Sequence, residues 1–534
     1  MFKKIIIYVF TLIFVLSALQ ITFSAASAVT VPGGTVTSYE ELFYALGGSD
    51  TSAIKRNDKG DIVAIQIFEN IELSSPIKIT SGEYVIYGAG STVTASFSDK
   101  SFIEISGEET YVIIGNPDGS TTIDTTFDCK EASRGASIIT VESGSVLGIY
   151  SGTVIKDVIC TSSGGAITNK GELLMYGGTM QKCRAVISGG AVYNEGEVVF
   201  ASGSITECSS DIGGAVYNSG KAMFIGVEIK SCVADKGGAV YNSSEAKFAS
   251  SVINECKARM GGAIYNDKTC EVLGGNISLC TADENGGAIY NASDLTLSSG
   301  TIQNSSAING GNVYNNGTLT FDNNISITTG KAVRGGNIYN DNLGSITSNG
   351  GSITLGKADF GGGVFNHGEI LLQGGNYHAN NATVAGKGFL NHGSVSMTKN
   401  GYIDPNNDFF VVLSEDNSHA LIVLEGWEYN KQIVKLSCGI VSNGAYEYME
   451  KVGDTLLVLN DKSVIVKDRF ALFNDQGLLL SQNGKLIKNP NDNSVLFFVI
   501  GAVIVFAVLV TLIVCTVRFF DKRRTTNMSE DDYF

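Results

Sequence analysis

The sequence predicts an all-β fold, a right-handed parallel β-helix, and three observations carry that expectation. A Gly-Gly-x-x-x-Asn motif recurs along the chain at near-constant spacing. Each period holds three short strand-like pieces. No segment within the repeats sets apolar residues at helical spacing, so each period reads as strands and turns.

The repeat is clearest at Gly189-Gly190-Ala191-Val192-Tyr193-Asn194. Its asparagine recurs at Asn169, Asn194, Asn218, Asn242, Asn266, Asn291, Asn315, Asn340, Asn366 and Asn391, always 24–26 residues apart. The last copy lacks the glycine pair. Within one period the strand pieces are Ala191–Asn194, Val198–Phe200 and a third around Ile205 that leads to Cys208. One period is then one coil, and ten coils at about 4.8 Å span about 48 Å. A leucine-rich repeat is the competing architecture, but no copy shows its leucine pattern.

Alternation along the strand assigns the faces. Ile167, Val192, Val216, Val240, Ile264, Ile289, Val313, Ile338 and Val364 point inward. The alanine position becomes Asn312 and Asn337, so it is expected to face outward together with the tyrosine. Phe200, Phe224 and Phe248 form a second inner stack, continued by Leu273 and Leu297. Ile205, Ile229, Ile253, Ile277 and Ile302 form a third. Such stacks hide apolar area between neighbouring coils, which is how a solenoid is stabilised. The repeated asparagines form an inner ladder of amides that satisfies the turns. The paired glycines allow the sharp turn.

The two ends carry different signals. Lys3 and Lys4 precede an apolar run to Leu19, and Ala26-Ser27-Ala28 fits a leader-peptidase site. Val495–Val517 is an uncharged stretch of 23 residues, long enough to cross about 30 Å of hydrocarbon. Arg518, Lys522, Arg523 and Arg524 follow it and place the C-terminus in the cytoplasm. The expected arrangement is a single-pass type I protein on the cell surface. It has a leader (1–28), a helix cap with irregular coils (29–152), regular repeats (153–395), irregular final coils or a β cap (396–487), a stem (488–494), a membrane helix (495–517) and a cytoplasmic tail (518–534). The net charge is −16, which speaks against a nucleic-acid partner.

The motif Gly-Gly-Ala-Ile/Val-Tyr-Asn resembles half of the repeat in chlamydial polymorphic outer membrane proteins, over about residues 130–395. The second half of that repeat, F-x-x-N, has a loose counterpart in Ile205-Thr206-Glu207-Cys208 and in the same Ile-x-x-Cys shape at Ile229, Ile253 and Ile277. The resemblance implies a pectin-lyase-like β-helix passenger used in adhesion to host-cell or extracellular glycan or protein ligands. Members of that family end in a membrane β-barrel, whereas this chain ends in one apolar segment and a basic tail. Similar repeats also occur in surface proteins of trichomonads and Gram-positive bacteria. Ser38–Leu46 is similar to the amphipathic cap that closes the first coil of pectate-lyase-like helices.

Candidate chemistry is sparse, and no catalytic residue, metal site or cofactor is expected. Cys160, Cys183, Cys208, Cys232, Cys256 and Cys280 form a ladder whose coil spacing suits stacked thiols better than disulfides. Tyr193, Tyr217, Tyr241, Tyr265, Tyr290, Tyr314 and Tyr339, extended by Phe365, form an outward row. That row either braces the sheet or offers an aromatic platform to sugar or protein ligands. Asp211, Asp235 and Asp283 share one turn, with Arg259 among them, so solvated charges are expected rather than a Ca²⁺ row. His367 and His392 follow ladder asparagines and read as stacked turn residues, while His378 and His419 stand elsewhere. A polysaccharide lyase or hydrolase is the alternative function, but no Asp, Arg and His cluster supports it locally. Sequons begin at Asn242, Asn276, Asn291, Asn304, Asn316, Asn324 and Asn381, of which Asn242 and Asn291 belong to the inner ladder.

Overall fold

The computed structural model describes residues 35–36, 63–116, 125–398, 400 and 402–413, short stretches between 421 and 489, and 508–509. The leader, Ser38–Leu46, His419, the tail and all of Val495–Val517 except 508–509 lie outside the described residues. Among the described residues no helix is long and apolar enough to cross a membrane.

The chain divides into two compact units, 1–305 and 306–534. Each is a parallel β-solenoid. In the first unit the motif strands Ile167–Asn169, Val192–Asn194, Val216–Asn218, Val240–Asn242, Ile264–Asn266 and Ile289–Asn291 pair in sequence, with Val or Ile opposite Val or Ile and Asn opposite Asn. Upstream, Ile139–Val141, Ile103–Ile105 and Ile77–Ile79 continue this ladder. The expected second and third pieces are present too. They are fused in Glu197–Thr206, which faces the separate strands Lys221–Phe224 and Glu228–Lys230. A fourth ladder follows the cysteines and was not expected. It runs as the bridges Arg184–Ser209, Ser209–Val233 and Val233–Lys257 and then as Lys257–Met260 against Thr281–Asn285.

The glycine pair has two separate reasons. Gly213 has a φ of 67°, in the left-handed region that glycine adopts without steric cost. Gly214 has no such φ, but a Cβ there would lie 2.2 Å from the carbonyl oxygen of Gly238 in the next coil.

The inner stacks are mostly as the alternation predicts. Phe200, Phe224 and Phe248 stack with ring centroids 5.0 and 4.4 Å apart. Such contacts add about 0.5–1.5 kcal/mol each beyond the area they bury. Val272, not Leu273, continues this stack, because Phe248 pairs with Val272 and Val272 with Leu297. Leu273 falls on the other parity and is exposed. Ile205, Ile229, Ile253, Ile277 and Ile302 are in register and buried.

Two further expectations are corrected. Ala191 and its equivalents are fully buried, not outward. The strand begins only at Val192, so Ala191 sits in the corner after Gly190, where strand alternation does not apply. Cys160 stands outside the cysteine ladder. Val158 pairs with Cys183, and Cys160 pairs with Ala185. On its other side Cys160 meets Arg134, a buried cation whose guanidinium lies 4.4 Å from the Phe102 ring centre and donates to the Phe97 carbonyl at 2.9 Å.

In the second unit Val313–Asn315, Ile338–Asn340, Val364–Asn366, Phe389–Asn391, Phe409–Val412 and Val434–Ser442 form the corresponding parallel ladder. Antiparallel pairs then appear, Val434–Ser442 with Ala445–Tyr448 and Leu478–Leu480 with Leu486–Lys488. Asn312 and Asn337 are buried in the same corner that alanine occupies elsewhere. Their amides fill space left by Gly330 and Gly356: a Cβ on Gly330 would lie 2.8 Å from Asn312 Nδ2, and one on Gly356 2.7 Å from Asn337 Nδ2. Asn312 donates to Asn337 at 2.9 Å, Asn337 to Asn380 at 3.2 Å and Asn380 to Asn407 at 3.2 Å. This second amide chain is a feature of the fold that the repeat motif does not announce.

Candidate functional site

Three longitudinal rows carry the polar and aromatic chemistry: the inner asparagines, the cysteines and the tyrosines. The asparagines are structural. Asn169 donates to Asn194, Asn194 to Asn218, Asn218 to Asn242, Asn242 to Asn266 and Asn266 to Asn291, at 2.7–2.9 Å. All are fully buried. Each side-chain nitrogen also donates to backbone carbonyls, for Asn242 those of Ser244 and Thr269. The Oδ1 of Asn169 is the one ladder oxygen without a donor, because Val141 occupies the preceding register position. In the second unit Asn315, Asn340, Asn366 and Asn391 repeat the arrangement at 2.7–2.8 Å.

The cysteine ladder comprises Cys183, Cys208, Cys232, Cys256 and Cys280, all buried and unbridged. Each thiol lies 3.2–3.5 Å from the carbonyl oxygen two residues earlier. Burial pushes Cys208 and Cys232 well above the usual thiol range, and Cys129 to about 11. Hydrogen bonds from Cys232 and Cys280 hold Cys256 low instead. All five ladder thiols are buried, so they act as small apolar fillers rather than nucleophiles, since reactivity needs an accessible thiolate. The residue before each ladder cysteine is left-handed, with φ of 51–57° at Lys182, Glu207, Ser231, Glu255 and Leu279.

The tyrosines do form an ordered row. Within the first unit the rings of Tyr193, Tyr217, Tyr241, Tyr265 and Tyr290 lie 4.6–5.4 Å apart and within 8° of parallel. Within the second, Tyr314, Tyr339 and Phe365 stack at 5.2 and 5.1 Å. Stacking spends the ring faces on one another, so the row presents edges and hydroxyls instead of a flat platform. Tyr193, Tyr217, Tyr241 and Tyr290 are half-buried. Tyr265, Tyr314 and Tyr339 are buried.

Carboxylates line one edge of this row. Tyr193 donates to Glu195 at 3.2 Å, Tyr241 to Asp267 at 3.4 Å, and Tyr314 to Asp341. Ser243 donates to the Tyr217 hydroxyl at 3.4 Å. The Lys236 ammonium lies 5.2 Å from the Tyr265 ring centre. Burial, with Glu195 nearby, pushes Tyr193 to about 12, and burial with neighbouring Tyr290 does the same for Tyr265. In the first unit the phenols recur on every coil from Tyr193 to Tyr290, while carboxylates meet the row only at Glu195 and Asp267, three coils apart. It is therefore the phenol edges that are suited to bonding successive hydroxyl groups of a ligand.

The acidic turn has a different outcome. Arg259 bridges Asp235 at 2.8 Å and Glu284 at 2.9 Å, so Glu284 rather than Asp283 shares the row. Among the described residues no three His, Cys, Asp or Glu side chains gather as a metal site. One carboxylate pair was not singled out from sequence. Glu172 and Glu197 are register partners on adjacent coils. Burial, reinforced by Glu197, raises Glu172, while Glu197 accepts from Lys221 at 2.7 Å.

Comparison of the chain with protein-family models, with curated proteins and with solved structures gives no match.

Proposed function

We propose that this chain is a non-enzymatic, adhesin-like cell-surface protein whose tyrosine-edged face binds a glycan or protein ligand, with glycans the first class to test. The observation that carries this reading is the row of phenol edges, one per coil, in the first unit from Tyr193 to Tyr290, with carboxylates bonded to it at Glu195 and Asp267; the second unit has its own pair, Tyr314 with Asp341. Polar edges at a regular spacing of about 5 Å suit a ligand with regularly spaced hydroxyls. The likeness of the repeats to those of chlamydial polymorphic outer membrane proteins, and to pectin-lyase-like helices, supports adhesion by analogy. Residues 1–28 as a leader and Val495–Val517 as an anchor with a cytoplasmic tail support a surface location.

The test is to present the full-length chain, in detergent, with a panel of defined polysaccharides. The reading expects a glycan that is retained and recovered at its original length. Retention of none of them, with no protein ligand captured by the same face, would overturn it.

A second reading, a polysaccharide hydrolase, is favoured by Glu172 and Glu197. They stand side by side on adjacent coils, with burial raising Glu172, and glycoside hydrolysis uses a pair of carboxyl groups. Shortened products from the same panel, lost in Glu172→Gln and Glu197→Gln, would establish it in place of simple binding.

A further inference from the structure

We infer that His367 and His392 form a two-imidazole site for a divalent transition-metal ion on the outside of the 306–534 unit. Each residue follows a ladder asparagine. The His367 amide donates to the Asn340 carbonyl and the His392 amide to the Asn366 carbonyl, both at 2.8 Å. This shared backbone seating sets the two side chains in one row on adjacent coils. Their ring centroids lie 4.7 Å apart.

Zinc binds imidazole nitrogen at about 2.0–2.1 Å, so two nitrogens on one ion lie within about 4.2 Å of each other. Ring centroids 4.7 Å apart place the two imidazoles close enough for one nitrogen of each to share an ion. Phe365 supports both rings, with centroids 5.0 Å from His367 and 5.7 Å from His392. His367 is exposed and His392 half-buried, which leaves room for water to complete the coordination shell. Asp341 precedes them in the same row, its amide on the Asn315 carbonyl at 2.8 Å, and its carboxylate accepts from Tyr314. It adds negative charge along the row without serving as a third ligand. Imidazole donors select zinc, nickel or copper over calcium and magnesium, which require oxygen ligands. Neither the tyrosine face nor the fold depends on such an ion, and two protein ligands make the site open and exchangeable.

The test uses the full-length, untagged, metal-stripped chain titrated calorimetrically with zinc chloride. One equivalent is expected to bind. His367→Ala and His392→Ala should each weaken binding by more than the roughly tenfold loss typical of an outer-sphere partner. His378→Ala should leave it unchanged. If an alanine variant fails to fold, His367→Gln and His392→Gln keep the polar bulk and carry the same comparison. Absence of binding, or binding that survives loss of both imidazoles, would overturn the assignment and leave the pair as stacked turn residues.

Discussion

Asn218 donates its side-chain amide to the Oδ1 of Asn242, 2.8 Å away on the next coil, and neither side chain touches solvent. That bond is the unit from which the inner ladder is built. Asn242→Ala removes an acceptor from Asn218 and a donor from Asn266 at once. Each buried group left unpaired costs about 1–3 kcal/mol. The variant should lose about 3 kcal/mol, read as a shift in denaturant midpoint. Asn391, which donates to the Gly393 carbonyl, is the last of its ladder and should tolerate alanine better.

The two glycines of the motif should fail differently. Gly213→Ala meets both an unfavourable φ and the Val216 carbonyl oxygen, 2.3 Å from the new Cβ. Gly214→Ala meets only the neighbouring coil. Both should cost about 3 kcal/mol or more, because backbone oxygens cannot rotate aside. A D-alanine at position 213, introduced by chemical ligation, should be tolerated, since it accepts positive φ. The same residue at 214 should not be.

Left-handed turns offer stabilising changes. Thr329 is β-branched at φ 55°, and Leu279 sits at φ 57° with 54% of its surface exposed. Asparagine accepts this conformation more readily. Thr329→Asn and Leu279→Asn should each gain about 1 kcal/mol and raise the melting temperature.

Much of this was legible in the sequence, and the failures have physical causes. Val192 and Asn194 were assigned inward correctly because they lie inside a strand, where parity holds. Parity points Ala191 outward, but Ala191 sits in a corner, where parity does not hold. Cys160 was counted with the ladder because near-equal spacing conceals a shift of two residues relative to Cys183. The tyrosine row was visible as a row, but its ring faces were not. Whether an aromatic presents its face or its edge depends on the next coil, here Tyr217 lying within 8° of parallel to Tyr193. The asparagines at Asn312 and Asn337, in the corner that alanine occupies elsewhere, fill space left by Gly330 and Gly356, a compensation of volume that one-dimensional spacing does not reveal.

Tyrosine ionisation gives a pH prediction. Burial raises Tyr193 and Tyr265 to about 12 from the ordinary value near 10. The native state therefore holds these protons longer than the unfolded chain. The stability they contribute is complete below pH 10 and is lost as pH rises through 12. A spectrophotometric titration should show these phenols ionising late, and urea midpoints should fall between pH 10 and 12.

If the tyrosine edges form the binding face, the wild-type chain and Tyr193→Phe/Tyr217→Phe/Tyr241→Phe should differ in affinity for the retained ligand. Phe365 already stacks on Tyr339 without a hydroxyl at 5.1 Å, so the triple variant should keep its fold and thermal midpoint. Binding should fall roughly tenfold or more, as hydroxyls that bond the ligand are removed. Unchanged affinity in a stably folded triple variant would contradict it.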